Sequence, residues 1–247
     1  MRRFYTPIPP AGGEQAVIRG PDAGHIGRVL RLVPGDKIVL FDGAGFDYDA
    51  EIVEISHDRV SAAIVKKYAS RPESRARITV AQALLKGKKM DTLIRQMTEL
   101  GVSGWVPFMA ERSVPHPDGK RRADRLARWQ TIVKEALKQS RRGEFTQVHP
   151  LVSFGEMLAL GQSDPVKLVF WENAMEPLDV VINKYPKGTR KIWIVLGPEG
   201  GFSENEIKTA RAHGFEAVGL GSRILRAETA ALAACVLMQH IFGDLGR

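Results

Sequence analysis

Residues 192–207, IWIVLGPEGGFSENEI, carry the clearest indication of how the C-terminal half of this chain folds. The apolar start, Ile192–Leu196, predicts a buried strand that ends at a glycine-rich loop. Ser203 and Glu206 have the spacing of a capping box, so a helix is expected to begin directly after the loop. A strand, a glycine-rich turn and a helix in this order are typical of an α/β domain, in which ligands bind beyond the carboxyl ends of the strands.

The loop itself indicates a ligand other than a nucleotide phosphate. Three glycines around Pro198 let the backbone turn sharply and approach a ligand closely. The loop has neither the P-loop spacing nor the dinucleotide-binding fingerprint, and the carboxylate of Glu199 would repel phosphate. It would suit a ligand with a positive centre or with free hydroxyl and amine groups, and S-adenosylmethionine has these groups and no phosphate. On spacing alone, an exposed turn residue is an equally good interpretation of Glu199.

A second unusual stretch, LGSRILRAETAA, occupies residues 220–231. From about Ala227 it predicts a helix that is almost uncharged after Glu228, and a helix that is apolar all round is expected to be buried on every side. Arg223 and Arg226 come just before this helix. We expect them to face an RNA phosphate or a developing negative charge, because guanidinium groups bind such oxygens well.

Beyond these loops, the pattern of apolar residues predicts two domains. Residues 1–70 contain short apolar runs, Lys37–Phe41, Ala50–Ile55 and Arg59–Val65, separated by turn signals, which predicts a compact β-barrel. The polar residues 66–76 predict a linker. Residues 71–247 predict an α/β domain of parallel strands and crossover helices. Its expected strands are Arg77–Leu84, Trp105–Met109, Lys167–Trp171, Ile192–Leu196 and Ala217–Leu220.

Composition favours a cytosolic protein with a polyanionic partner. The 247 residues include 36 Lys and Arg against 28 Asp and Glu, a formal net charge of +8. No apolar stretch predicts a membrane span or a signal peptide. The lone cysteine, Cys235, lies in an apolar run and predicts packing, and His25 has no second ligand at a useful spacing, so we expect no metal site.

We predict RNA contacts from two groups of residues. Basic side chains dominate both groups, because phosphate contacts supply most of the affinity for RNA. For Phe4, burial in the core is the favoured alternative. The N-terminal group is Arg3, Phe4, His25, Arg28 and Arg31; the group assigned to the α/β domain is Lys86, Lys88, Lys89, Arg112 and Arg142.

The two loop motifs, in this order, closely resemble those of the small-subunit ribosomal RNA methyltransferase E family of the SPOUT superfamily. The resemblance extends along the chain through Arg3-Phe4, Thr98–Val102, Glu111–Ser113 and Ala136–Ser140. It implies a PUA-like N-terminal barrel that binds RNA, a SPOUT-type α/β domain with a C-terminal trefoil knot, and a homodimer. It also implies methylation of N3 of one uridine in 16S ribosomal RNA, with S-adenosyl-L-methionine as the methyl donor. The assembled small subunit is the expected substrate, and free RNA stays open as the alternative.

The resemblance and the loop patterns together predict the site. Arg226 is expected to stabilise negative charge on the uracil oxygens, and Glu199 is a candidate base for the N3 proton, with a purely structural role equally plausible. The predicted cofactor-binding residues are Leu196, Gly197, Pro198, Gly200, Gly201, Leu220, Gly221, Ile224, Leu225, Thr229 and Ala230.

Three alternatives stay open. The first is a SPOUT methyltransferase with another target, such as transfer RNA or the large ribosomal subunit, whose cofactor loops would look similar. The second is an RNA-binding or assembly factor that keeps the fold without catalysis and would not bind the cofactor. The third is a nucleotide-dependent oxidoreductase, against which the missing fingerprint and Glu199 argue.

Overall fold

A computed structural model of the chain describes residues 2–7, 15–186 and 188–246. The chain divides into two compact units. The first comprises Met1–Glu73 together with Leu137–Phe145, and the second comprises Ser74–Ala136 with Thr146–Arg247. The first unit therefore takes in a segment from far along the chain.

The first unit is built on a five-stranded sheet. Its strands are β1 (Arg3–Tyr5), β2 (Gln15–Arg19), β3 (Lys37–Phe41), β4 (Phe46–Ile55) and β5 (Arg59–Ala69), in the order β1-β3-β4-β5-β2. The β1 and β3 pair is parallel and the other pairs are antiparallel. A short helix α1 (Pro21–Gly24) and one π-helical turn (His25–Val29) follow β2. The predicted strands are confirmed here, whereas closure into a barrel stays a prediction.

The predicted linker at 66–76 is wrong over its first four residues. Strand β5 continues to Ala69, which pairs with Phe46 of β4. The Lys67 ammonium lies 4.0 Å above the Phe46 ring, and the Tyr68 hydroxyl donates to Asp49 Oδ1 at 3.1 Å. Cross-strand contacts of these polar side chains hold the strand, and such contacts leave no apolar pattern in the sequence.

The second unit is the predicted α/β domain with a parallel sheet. Its strands are β6 (Arg77–Ala83), β7 (Gly104–Met109), β8 (Gln147–Val148), β9 (Val152–Ser153), β10 (Val166–Phe170), β11 (Lys191–Leu196) and β12 (Glu216–Val218). The strand order is β12-β10-β11-β6-β7-β8, with β9 pairing β7, and every one of these described pairs is parallel. The remaining helices are α2 (Lys89–Glu99), α3 (Gly119–Ser140), α4 (Phe154–Leu160), α5 (Leu178–Ile182), α6 (Glu204–Ala212) and α7 (Ala227–Ile241).

The last helix, α7, is buried on one face within the single chain, and burial of its other side, which a dimer partner would supply, stays a prediction. It packs against α2, β6 and β11 through one face, where Ala231, Cys235 and Met238 are fully buried. On the other face Val236 is 41% exposed and Leu237 36% exposed. Apolar composition shows that a helix can be buried, but the neighbours in the fold decide which faces are. The packing role predicted for Cys235 agrees with its burial.

No helix in the described part of the chain is both long enough and apolar enough to cross a membrane.

Candidate cofactor site

A cavity of about 350 Å³ lies at the carboxyl ends of β10 and β11, beside the start of α7. This is the edge of the sheet at which ligands bind in α/β proteins. Both predicted loops contribute to it, and so does the segment after β10. Of the residues predicted for the site, Leu196, Gly197, Pro198, Glu199, Gly201, Leu220, Gly221, Arg223, Ile224, Leu225, Arg226 and Ala230 line the cavity.

Gly200 and Thr229 are not among the lining residues. Gly200 is turned toward Arg112: its carbonyl accepts a hydrogen bond from Arg112 Nη1 at 3.0 Å, and a Cβ on Gly200 would lie 3.1 Å from the Arg112 Cβ. Thr229 lies on an exposed face of α7. Both residues belong to the predicted loops, but Gly200 faces Arg112 and Thr229 faces solvent, so neither lines the cavity.

The glycine-rich loop is held rigidly at its far end. Ser203 and Glu206 form the predicted capping box at the start of α6. The buried Glu206 also accepts, through Oε1, a hydrogen bond from the Glu111 backbone N–H at 2.9 Å, and the Ser203 hydroxyl donates to Glu111 Oε2 at 2.7 Å. These bonds link the loop to the segment after β7, so the backbone at the cavity wall is fixed before any ligand arrives.

Gln82 holds the near end of the same loop, and sequence reasoning missed it. This fully buried residue lies on β6 opposite Leu196, and its Nε2 donates to the Gly197 carbonyl at 3.0 Å and to the Ala83 carbonyl at 3.1 Å. A lone glutamine in an apolar strand is the signal that could have found it, because a buried amide must have a hydrogen-bonding partner.

Lys89, Glu199 and Glu228 form an ion cluster in the cavity wall. Lys89 Nζ lies 3.1 Å from Glu199 Oε1 and 3.2 Å from Glu228 Oε2. The hydrogen bonds to these two carboxylates, the one to Glu199 first, raise the pKa of Lys89. Glu199 Oε1 also accepts from the Lys86 backbone N–H at 3.1 Å.

These contacts bear on two predictions. Burial by itself would raise the pKa of Glu199, but the bonds from the Lys86 backbone and the Lys89 ammonium bring it below its ordinary value. A general base for a neutral-pH reaction needs a pKa shifted toward neutrality, so the geometry argues against Glu199 as the proton acceptor. Lys89, predicted to contact RNA, is paired with both carboxylates of the cluster, and its contact with RNA stays a prediction.

Phe170, Trp171 and Glu172 also line the cavity, and sequence reasoning missed all three. Phe170 ends β10 and the other two follow it directly, so the rule that ligands bind at the carboxyl ends of strands could have found them. Trp171 Nε1 is buried and has no hydrogen-bond partner among the described residues.

The chain matches known proteins along almost its whole length. Residues 72–239 match the family model described as an RNA methyltransferase domain, and residues 18–65 match an RNA methyltransferase PUA domain. The ribosomal RNA small subunit methyltransferase E of Bacillus subtilis is 33% identical over 95% of this chain and 94% of its own. The chain belongs to the ribosomal RNA small subunit methyltransferase E family. The resemblance predicted from the two loop motifs is thus confirmed.

Solved structures agree with this methyltransferase E assignment. A ribosomal RNA small subunit methyltransferase E from Neisseria gonorrhoeae, bound to S-adenosyl methionine, is 35% identical with a TM-score of 0.87, and 99% of each chain is covered. A putative methyltransferase from Legionella pneumophila, in complex with the same cofactor, is 29% identical with a TM-score of 0.90 over 98% of each chain. The α/β methyltransferase fold and the PUA domain of this family member are therefore established.

The N-terminal residues predicted to contact RNA fall into two groups. His25, Arg28 and Arg31 lie in and just after the π-helical turn, where their side chains are at least partly exposed. Arg3 and Phe4 are in the interior of the first unit, where the Arg3 guanidinium pairs with Asp47 Oδ1 at 2.8 Å and Phe4 is 4% exposed. The RNA contacts predicted for Arg3 and Phe4 are wrong for this conformation, because neither side chain reaches the surface.

The other predicted RNA contacts divide in the same way. Lys86 and Lys88 are exposed in the loop before α2. Arg112 is exposed but donates to the cofactor-site loop at Gly200. Arg142 belongs to the first unit rather than to the α/β domain, and its Nε donates to Glu73 at 2.9 Å, with a side chain only 10% exposed. Lys86 and Lys88 are therefore the residues of this group best placed to meet RNA.

Among the described residues, no group of three or more histidine, cysteine, aspartate or glutamate side chains could hold a metal ion.

Proposed function

We propose that this chain transfers a methyl group from S-adenosyl-L-methionine to N3 of a uridine in 16S ribosomal RNA, acting on the assembled small subunit. The observation that carries the proposal is the cavity to which both family loops contribute, at the carboxyl ends of β10 and β11. Relatives of the same family, one of them bound to S-adenosyl methionine, support the choice of cofactor and RNA.

The cavity suits this cofactor in size and chemistry. About 350 Å³ lies in the usual range for small-molecule sites. Phe170 and Trp171 offer apolar surface. Carboxylates and the arginines Arg223 and Arg226 line the same space, which matches a ligand that carries an ammonium, a sulfonium and a carboxylate but no phosphate.

The chain contributes alignment and charge stabilisation. Bound S-adenosyl-L-methionine supplies an electrophilic methyl group, so the reaction needs an attacking nitrogen in line with it and little covalent help. Gln82 and the capping box hold the loop that would orient the donor. Arg226, at the N-cap of α7, would stabilise the negative charge that moves onto the uracil oxygens when N3 loses its proton. Glu199 would keep the loop and Lys89 together.

RNA would contact the exposed cations of both units. His25, Arg28 and Arg31 are proposed for the PUA unit, and Lys86 and Lys88 for the edge of the cavity. Contacts of this kind give salt-dependent affinity without choosing a base. A ribosomal RNA substrate also implies a cytoplasmic site of action.

A homodimer and a C-terminal trefoil knot are further parts of the proposal. The exposed apolar side chains Val236 and Leu237 on α7 support a second copy of the chain that covers this helix. The knot is supported by the return of the chain from the outer strand β12 to pack α7 against β11 and β6. Light scattering of wild type and Leu237→Glu tests the dimer: the variant should have half the mass of the wild type.

The test of function is methyl transfer from labelled S-adenosyl-L-methionine to small subunits that lack the modification, with the modified nucleoside mapped by mass spectrometry. Label in 3-methyluridine of 16S RNA supports the proposal. Cofactor binding with label only in another RNA would move the substrate elsewhere, and no cofactor binding would favour the non-catalytic alternative.

Variants sharpen this assay. Arg226→Ala should lower kcat by about 10²–10³-fold, the usual loss when one donor to a developing negative charge is removed. The matched control is Arg211→Ala, an exposed arginine on α6 outside the cavity, which should keep the wild-type rate. An Arg226→Ala protein with wild-type kcat would remove Arg226 from the mechanism.

A further inference from the structure

The carboxylate of Glu172 stands apart from the other charges of the cavity. Lys89 bridges Glu199 and Glu228, so the three form one compensated group. Glu172 also lines the cavity, but it has no ion pair and no hydrogen bond with any residue in the described part of the chain. An acid that remains without a partner in a ligand cavity has its acceptor oxygens available to the ligand.

The position of this carboxylate is set by the glycine-rich loop. Gly201 has a φ of +67°, and a Cβ built on it would overlap Glu172 Oε1. The carboxylate therefore lies directly against the loop backbone, in space that only a glycine leaves open. The Gly201 backbone N–H does not bind it, since that group donates to the Pro198 carbonyl at 3.0 Å. Two chain segments thus bring an acid to the cavity without neutralising it.

The charge of Glu172 restricts what it can bind. A carboxylate repels the phosphates of RNA, and it would also repel the carboxylate end of the cofactor. The uracil ring acquires negative charge during the reaction, so an adjacent acid would oppose the reaction there. A positive centre gains most from an unpaired carboxylate, and the proposed cofactor has two of them: its ammonium and its sulfonium.

We infer that Glu172 binds a positive centre of S-adenosyl-L-methionine and helps the site to select this charged ligand. The inference rests on the proposed function. It also explains why the segment after β10 reaches the cavity. The two family loops supply backbone and arginines, and Glu172 supplies a negative charge that is not already paired within the protein. Glu172 is in this sense a specificity-determining residue.

The experiment compares three ligands by titration calorimetry with wild type and Glu172→Gln. S-adenosylmethionine carries the sulfonium and the ammonium, S-adenosylhomocysteine only the ammonium, and methylthioadenosine neither. We expect Glu172→Gln to weaken S-adenosylmethionine about 10- to 100-fold, as for other hydrogen-bonded charges, and to leave methylthioadenosine unchanged. An equal loss for S-adenosylhomocysteine identifies the ammonium as the bound group, and a smaller loss identifies the sulfonium.

Glu176→Gln is the matched control, because Glu176 is an exposed acid of the same segment outside the cavity lining. Its three affinities should equal those of the wild type. Unchanged binding of S-adenosylmethionine by Glu172→Gln overturns the inference, and so does an equal loss for methylthioadenosine, which would mean a contact with the adenosine hydroxyl or amine groups or a structural effect. If the wild type itself does not bind S-adenosylmethionine, the proposed function fails first, so the two failures are distinct.

Discussion

Replacement of Arg3 by methionine should destabilise the first unit without weakening RNA binding. The guanidinium donates to Asp47 Oδ1 at 2.8 Å and to the Leu137 carbonyl at 2.9 Å, and it lies 3.9 Å from the Phe41 ring centroid. The two charged side chains are 7% and 13% exposed. Arg3→Met keeps much of the aliphatic stem and removes the charge, so that Asp47 stays buried without its cation.

The expected loss follows from these contacts. Removal of one partner of a buried ion pair costs about 3–5 kcal/mol. Asp47 Oδ1 keeps a hydrogen bond from the Ser70 hydroxyl at 2.6 Å, which moderates the loss, so we expect about 3 kcal/mol. The double variant Arg3→Met/Asp47→Asn should lose at least about 1 kcal/mol less than the sum of its single variants, because it leaves no buried charge unpaired.

Two measurements check this prediction. Native-state hydrogen exchange of the β3 amides reports the stability of the first unit, since β3 pairs directly with β1. The salt dependence of RNA binding reports phosphate contacts, each of which adds roughly 0.7–0.9 to the slope of log K against log salt. Arg3→Met should leave this slope unchanged, whereas Arg28→Ala and Arg31→Ala should each lower it. An Arg3→Met protein of wild-type stability with a reduced slope would refute the reasoning and restore the RNA contact.

Three further predictions concern pH, backbone strain and burial. The difference in Tm between wild type and Glu199→Gln, measured by scanning calorimetry, should stay constant from about pH 5 to 9.5. It should shrink as pH falls through the lowered pKa of Glu199 or rises through the raised pKa of Lys89, and a difference that shrinks at neither end would contradict this. Gly43→Ala should cost about 2–4 kcal/mol in urea unfolding, because Gly43 has a φ of +72° and its Cβ would overlap the Phe145 ring; a loss below about 1 kcal/mol would show that the ring moves aside. Cys235, which is fully buried, should react with a thiol reagent only after denaturant is added, and rapid labelling of the native protein would show that α7 opens.

Local features of the site could be predicted because they depend on neighbours in sequence. The capping box of Ser203 and Glu206 joins residues three positions apart, and it is present as predicted. The strand Ile192–Leu196 and the loop after it follow from a run of apolar residues and then glycines. Arg226 and most of the predicted cofactor residues line one cavity for the same reason: they lie in loops that follow strands revealed by the apolar pattern.

Contacts between distant segments could not be predicted in this way. Gln82 reaches Gly197 across 115 positions, and Arg3 reaches Leu137 across 134. The contact between Gln82 and Gly197 depends on β6 lying beside β11. The apolar pattern of a sequence does not show which strands are neighbours in the sheet. The errors over Arg3 and Arg142 have one physical cause: a basic side chain has the same sequence signature whether it faces RNA or a carboxylate inside the protein.

The amino-acid order alone was therefore enough to predict the family, the α/β class of the larger unit and the two loops of the site, because short motifs and the spacing of apolar residues carry this information. Three features could be seen only in the tertiary structure. Glu172 lines the same cavity as those loops and has no partner among the described residues. Glu199 is paired with Lys89, and α7 has one apolar face exposed. Each of these depends on which segments meet in space, and the free energy of a charge or an apolar face is set by the groups that surround it.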